Sequence, residues 1–214
     1  MRERRPPAGA RGPGDPGPVE PAPGSEQPST ADGEPLALEV PELPVVVGRG
    51  IEDEVRDVQH SRVTMTQLMG PPDANLFGSV FGGVILALVD KIAYVCATRH
   101  AGAPTVTVSF DQVDFRSPID IGEIITLRAS VNTVGCTSIE VGVRVMAESV
   151  HGGPPRHTNS CYVTMVAIDE ERRPVPVPRL RLETPEEWRR HVEAEERKGA
   201  KLELARRQRA YRRP

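Results

Sequence analysis

Residues 71 to 100 read PPDANLFGSVFGGVILALVDKIAYVCATRH, and the run after the glycine pair Gly82-Gly83 constrains the fold of this chain more than any other stretch. Val84 to Val89 are all apolar, and the apolar character resumes from Ile92 to Ala97. At ~3.6 residues per turn such a run offers no polar face, which predicts a helix buried in a core. The longest uninterrupted apolar run is far short of the ~18 residues a bilayer requires, so no integral membrane segment is expected. Asp90 falls about two turns beyond the glycine pair, and a carboxylate on a buried helix is costly unless it is paired or used. Two readings compete there: a surface ion pair with Lys91, or an acid kept for chemistry.

The residues upstream favour the second. Asn75 stands in a loop rich in Pro and Gly, where an amide side chain is commonly a turn former. That loop enters the helix through Gly82 and Gly83. The glycines permit close backbone packing, and they leave first-turn N–H groups at the positive end of the helix dipole. Such donors suit a developing oxyanion.

The pattern Pro71-Pro72-Asp73-Ala74-Asn75-Leu76-Phe77-Gly78-Ser79-Val80-Phe81-Gly82-Gly83, followed by an apolar helix containing Asp90, resembles the acyl-coenzyme A thioesterase branch of the hotdog fold. Val106-Thr107-Val108, Asp114-Phe115-Arg116-Ser117-Pro118 and Ile121-Gly122-Glu123 continue the resemblance in order, over roughly residues 55 to 173. Each piece alone is weak, and their combination is specific. The resemblance implies a catalytic carboxylate at Asp90, with Asn75 meeting it across a dimer interface, one residue from each subunit. It also implies a homodimer or a trimer of dimers, and no cofactor beyond the coenzyme A of substrate and product. Coenzyme A needs cations for its phosphates, and the family carries ligand-binding residues at Arg116 and at the turn Gly135-Cys136-Thr137-Ser138. Where the family commonly has a basic residue after the turn glycine, this chain has Cys136; Arg144 or a basic residue of the tail is the expected replacement.

Around this domain, 1–48 holds eleven of the 22 prolines and few large apolar residues. It is expected to be disordered and dispensable for stability and hydrolysis. No apolar segment follows the charged start Met1 to Arg5, which argues against a secretory signal. Cys96, Cys136 and Cys161 show no metal spacing and no even framework, so a reducing cytoplasm is the natural compartment and no metal is expected. A net charge of −3 gives no reason to expect nucleic-acid binding.

Val63, Met65, Gln67 and Met69 alternate with Thr64, Thr66 and Leu68, predicting a strand before the loop and helix. Val106, Val108 and Phe110 share one phase while Val113 and Phe115 share the other, which predicts a bulge near Asp111-Gln112. The alternations from Ile125 to Val131, Ile139 to Val145 and Thr158 to Ile168, joined by turns at Gly135 and at Gly152-Gly153-Pro154-Pro155, predict an antiparallel meander. One helix and one antiparallel sheet make an α+β domain, the sheet wrapping the helix. Thr184-Pro185-Glu186-Glu187 is a capping box with proline at the first helical position, opening a charged C-terminal helix over 184–213. Glu186–Arg190 and Glu193–Arg197 have the spacing of helical ion pairs. A solvated helix is expected, with a basic end from Arg206 to Arg213.

The function that collects these residues is hydrolysis of an acyl-coenzyme A to a free fatty acid and coenzyme A. Asp90 serves as base or nucleophile, Asn75 orients water or carbonyl, and the amides near Gly82 and Gly83 form the oxyanion site. A hotdog dehydratase would require a histidine beside its acid, and none precedes Asp90 in the catalytic stretch. A non-catalytic acyl-coenzyme A binder would keep the groove without the chemistry.

Overall fold

The computed structural model describes residues 38–111 and 113–211. The first 37 residues of the stretch expected to be disordered, Gln112 of the expected bulge, and Arg212 and Arg213 of the tail helix lie outside the described residues.

The helix is α2, Gly82–Ala101, and it packs against a five-stranded antiparallel sheet. The strands are β3 (Val63–Leu68), β4 (Thr105–Phe110), β5 (Glu123–Val134), β6 (Ser138–Ser149) and β7 (Arg156–Ala167), in the order β3-β5-β6-β7-β4. The expected meander is β5-β6-β7. Ile125, Leu127, Ala129 and Val131 of β5, Ile139 to Val145 of β6 at alternate positions, and Cys161, Val163 and Met165 of β7 are buried together on one face. Ile85, Leu88, Val89, Ile92, Ala93, Cys96 and Ala97 of α2 complete that core. Burial pushes the Cys96 thiol up to about 12 and raises that of Cys161 as well, as befits small core residues.

The helix is apolar all round, yet only one face of it is buried. Tyr94 and Val95 are exposed, as is Phe81 just before the helix. Strand β4, at the sheet edge, repeats the pattern: Thr105 and Thr107 turn their hydroxyls to Thr98 and Asp90 of α2, while Val106, Val108 and Phe110 face outward uncovered. The register shift in β4 falls between Thr107 and Ser109, before the position at which the change of phase placed a bulge, and residues 113–118 form no strand.

A second sheet, for which the sequence carries no alternation, completes the fold. It joins β1 (Val45–Val47), β2 (Ile51–Asp57) and β8 (Pro178–Leu182) in the order β1-β8-β2, with β1 antiparallel and β2 parallel to β8. The expectation of disorder through residue 48 therefore fails for Val45–Val47: Leu180 and Leu182 of β8 are fully buried, and Val45 and Val47 pack against the core beside them. Three valines among prolines cannot pay for order locally; a partner strand from the far end of the chain supplies the burial. The short helix α1 (Val58–Ser61) follows β2, and Arg56 of β2 donates to the carbonyls of Arg99 and His100, closing the C-terminus of α2.

The C-terminal helix α3, Pro185–Tyr211, opens as expected, with Thr184 Oγ1 accepting from the Glu187 N–H and Glu187 accepting from the N–H groups of Thr184 and Glu183. It is not a free solvated helix. Trp188 packs on the core and donates Nε1–H to the Glu39 carbonyl, and Ala194 is fully buried. Glu193 pairs with Arg189 rather than Arg197. Arg197 instead reaches the sheet, bonding Glu140 at 2.6 Å and stacking 3.5 Å from the Tyr162 ring centroid. The helix thus lies on the sheet face opposite α2.

Candidate active site

Asp90 sits in the third turn of α2, half-buried, and Thr107 Oγ1 of β4 donates to its Oδ1 at 2.6 Å. A short hydroxyl-to-carboxylate bond of this kind fixes the carboxylate rotamer and leaves the second oxygen free. No ion pair joins Asp90 to Lys91 among the described residues, so the surface-pair reading lacks its partner. In the sequence Thr107 stands only within the segment Val106-Thr107-Val108 that continues the family resemblance, with no role of its own expected there. Its signal was the inverted alternation of β4: an edge strand whose hydroxyls face the helix and whose valines face out.

The loop before α2 is a tight hairpin. Asn75 N–H bonds the Ser79 carbonyl at 2.7 Å, Ala74 bridges Val80, and Gly78 takes φ +84°, a left-handed conformation that glycine adopts freely. Asp73 Oδ2 accepts from the Gly70 N–H, and its carbonyl accepts from the Phe81 N–H, tying both ends of the loop. The Asn75 side chain is the inner brace: Oδ1 accepts from the N–H groups of Phe77 and Ser79, and Nδ2 donates to Ser79 Oγ at 2.8 Å. An amide nitrogen carries two hydrogens, so one remains for a ligand. No hydrogen bond links Asn75 to Asp90 within the chain. At the hairpin tip Leu76 is 100% and Phe77 93% exposed.

Gly82 and Gly83 form the first turn of α2, where no carbonyl four residues back exists within the helix to accept their N–H bonds. The Phe81 ring lies over Gly83, in the space a Cβ would need, and the Phe115 ring rests against Gly82. Both glycines thus also serve aromatic packing. A groove of about 320 Å³ opens at this helix end, lined by Val80, Gly82, Ile85, Phe115, Arg116 and Ser117 among others. The structure therefore places Arg116 beside Gly82. The segment carrying Arg116 is anchored by its N–H to the Thr158 carbonyl and, farther on, by Val80 N–H to the Ile119 carbonyl. Glu123 holds the same segment from below: it accepts from Asp120 N–H and from Arg156, whose guanidinium keeps the Glu123 carboxyl below its ordinary range.

Gly135, Thr137 and Ser138 lie apart from these, in a groove of about 460 Å³ that also takes in Arg49, Cys136 and Lys198. Gly135 N–H bonds the Ser138 carbonyl, while the Cys136 and Thr137 carbonyls accept from Val177 and Ala167, so the turn is held on both sides. Cys136 is exposed, and Arg49 and Lys198 are the cations beside it; Arg144 lies elsewhere, on the outer face of the sheet. Among the described residues no group of three or more His, Cys, Asp or Glu side chains is placed to hold a metal ion, and no helix is long and apolar enough to cross a membrane.

Residues 77–153 match the family model of the Thioesterase superfamily. The chain is 44% identical over 138 residues to Protein VdlD of Helicobacter pylori, covering 64% of this chain and 79% of that one. It is 38% identical over 144 residues to an uncharacterized acyl-CoA thioester hydrolase, YkhA, of Bacillus subtilis, covering 67% and 84%. Among solved structures, an apo-hexameric acyl-CoA thioesterase aligns with a TM-score of 0.69 at 39% identity, over 71% of this chain and 97% of that one. The acyl-CoA hydrolase of Staphylococcus aureus, solved with butyryl coenzyme A, coenzyme A and coenzyme A disulfide, aligns with a TM-score of 0.67 at 32% identity, over 73% and 98%. That enzyme has also been solved with an aspartate, a threonine and an asparagine each replaced by alanine.

Proposed function

The chain belongs to the Thioesterase superfamily, as an acyl-CoA thioester hydrolase of the hotdog fold, and on that premise we propose that Asp90, Thr107 and Asn75 carry its chemistry in a site shared between two copies of the chain. The observation that carries this reading is the 2.6 Å bond from Thr107 to Asp90. In support, the asparagine, aspartate and threonine replaced in the S. aureus structures are spaced 15 and 17 residues apart, and the same spacing separates Asn75, Asp90 and Thr107.

A thioester carbonyl is attacked slowly by neutral water. Asp90, held by Thr107, takes a proton from a water molecule as its oxygen adds to the carbonyl carbon. Negative charge moves to the carbonyl oxygen, where the first-turn N–H groups of Gly82 and Gly83 meet it. Collapse of the tetrahedral intermediate breaks the carbon–sulfur bond, and the proton held by Asp90 passes to the coenzyme A sulfur. The free Nδ2 hydrogen of Asn75 orients water or carbonyl. Direct attack by Asp90 on the carbonyl is the variant of this scheme. Arg116, beside Gly82, meets a coenzyme A phosphate, and the turn at Gly135, Thr137 and Ser138 contributes further contacts.

The second copy supplies what the single chain lacks. Tyr94 and Val95 of α2, Val106, Val108 and Phe110 of β4, and the hairpin tip Leu76-Phe77 form an exposed apolar surface too extensive for a lone soluble domain. Its unpaired edge strand β4 is open to pairing. Edge-to-edge pairing of β4 with its copy covers these faces and carries the Asn75 loop of one subunit to Asp90 of the other. Dimers of this kind assemble further, as three dimers in a hexamer. We place the reaction in cytoplasmic fatty acid metabolism, on the three free cysteines and the nature of the product.

The test uses Asp90→Asn and Asn75→Ala. Each variant should fold and lose on the order of 10²- to 10⁴-fold in turnover of acyl-coenzyme A, read by free thiol release. Mixing the two under subunit exchange makes about half the dimers mixed, each with one intact site, so activity should return toward about a quarter of wild type. Mixed dimers verified by mass that stay inactive would refute the shared site, and a small effect of Asp90→Asn would refute its catalytic role.

A further inference from the structure

The side chain of Asn75 can accept on the two lone pairs of Oδ1 and donate through the two hydrogens of Nδ2. The hairpin consumes all but one of these. Oδ1 accepts from the Phe77 N–H at 2.8 Å and from the Ser79 N–H at 3.2 Å, and Nδ2 donates to Ser79 Oγ at 2.8 Å. A backbone N–H can only donate, so the atom facing Phe77 and Ser79 is the oxygen, and the amide cannot be turned over. What remains for a ligand is a single hydrogen. Ser79 is itself held in place: its carbonyl accepts from the Asn75 N–H at 2.7 Å, and it bridges Asp120. The hairpin then runs directly into α2, tied there by the Phe81 N–H, which bonds the Asp73 carbonyl at 2.8 Å. Asn75 and the open first-turn amides of Gly82 and Gly83 thus stand on one braced unit of one chain, and all that these three turn to a ligand is N–H donors.

We propose that Ser79 is a positioning residue for the hydrolysis: by taking one Nδ2 hydrogen it locks the Asn75 amide so that the other hydrogen serves the thioester carbonyl oxygen and not the attacking water. It rests on the site that Asn75 and Asp90 share. Asp90 takes a proton from the water so that an oxygen lone pair can reach the carbonyl carbon. A donor aimed at that water oxygen would compete for a lone pair and draw density from the nucleophile. At the carbonyl oxygen the same hydrogen gains strength as negative charge develops, alongside the amides of Gly82 and Gly83. Without the Ser79 hydroxyl the amide keeps its oxygen contacts and loses the bond that sets the direction of Nδ2. The last torsion of asparagine is soft, so the amide plane then twists and the remaining hydrogen leaves its line to the carbonyl.

The test is a double-mutant cycle on Ser79→Ala and Asn75→Ala, with kcat and KM for acyl-coenzyme A read by free thiol release. In the wild-type background Ser79→Ala should lower kcat on the order of 3- to 10-fold, the worth of one neutral hydrogen bond. KM should stay nearly unchanged, because the donor acts in the transition state. In the Asn75→Ala background Ser79→Ala should lower kcat no further, since Ser79 acts only through Asn75. Ser79→Thr keeps the Oγ and should recover the kcat lost in Ser79→Ala. Asn75→Asp keeps an oxygen for the two N–H groups, and the Ser79 hydroxyl can turn to donate, but an acceptor now faces the ligand; kcat should fall at least as far as in Asn75→Ala. Wild-type kcat in Ser79→Ala, or an equal loss in both backgrounds, would overturn the positioning role and leave the shared site standing. Wild-type turnover in Asn75→Asp would overturn the assignment to the carbonyl. Wild-type turnover in Asn75→Ala would remove the shared site itself and the proposal with it.

Discussion

His100 closes the buried side of α2, and its protonation should unfold the protein from that end. The side chain is fully buried, its Nε2 lies 3.1 Å from the Pro178 carbonyl of β8, and its Nδ1 has no partner. Burial, opposed by the hydrogen bond to the Pro178 carbonyl and aided by the nearby charges of Arg56 and His60, pushes its pKa from 6.5 down to about 4. The folded pKa lies below the unfolded one, so below pH 6.5 the unfolded chain binds the proton and the folded chain resists it. The stabilisation is complete above pH 6.5 and is lost as pH falls toward 4. At ~1.36 kcal/mol per pKa unit the whole window is worth about 3 kcal/mol, of which about 2 kcal/mol is gone by pH 5. The assay is urea unfolding followed by circular dichroism at pH 7 and pH 5, at one protein concentration, for wild type and His100→Gln. The glutamine keeps a donor for Pro178 and removes the titration. The variant should be less stable at pH 7, yet its loss from pH 7 to pH 5 should be smaller than that of wild type by about 2 kcal/mol. Equal losses in the two proteins would refute the assignment, since every other titrating group is common to both.

Two further outcomes bear on the site and on the N-terminal segment. Thr107→Val keeps the shape of the side chain and removes the hydroxyl that holds Asp90; turnover should fall roughly 10- to 100-fold, as expected for a hydrogen bond to a charged group, and unchanged kinetics would show that Asp90 is positioned without it. A chain beginning at residue 49, compared with one beginning at residue 38, lacks β1 and the Glu39 carbonyl that receives Trp188; it should be less stable by on the order of 2 kcal/mol, the worth of burying about one valine side chain. Equal melting temperatures would return Val45–Val47 to the status of a dispensable tail.

The elements that could be read in advance are those whose signal is local. The meander declared itself by alternation at Ile125 to Val131, Ile139 to Val145 and the strand carrying Cys161, because a sheet with one buried face imposes a period of two on its own residues. The start of α3 was legible for a similar reason: Thr184 and Glu187 satisfy each other's backbone within one turn. The second sheet gave no such signal. Val45–Val47 is short and set among prolines, and Ile51–Asp57 is mostly charged, so neither segment has a reason to be a strand until β8 arrives from the other end of the chain. Arg197 was matched to Glu193 by helical spacing, but a carboxylate and a tyrosine ring on the sheet offered it a better position.

For the candidate site the division follows the same physics. The sequence by itself determined an apolar helix with one carboxylate, a glycine entry that leaves its first amides open, and a loop rich in Pro and Gly carrying Asn75, since each is a property of consecutive residues. Only the tertiary structure decided that Thr107 is the group touching Asp90, that Arg116 shares a groove with Gly82 while Gly135, Thr137 and Ser138 line another, and that α2 buries one apolar face and leaves the other bare. Hydropathy measures how much a side chain avoids water and is silent on which neighbour shields it. An apolar helix therefore reads the same whether its second face meets its own sheet or another molecule, and the folded chain, by leaving Tyr94, Val95 and the valines of β4 uncovered, separates the two cases.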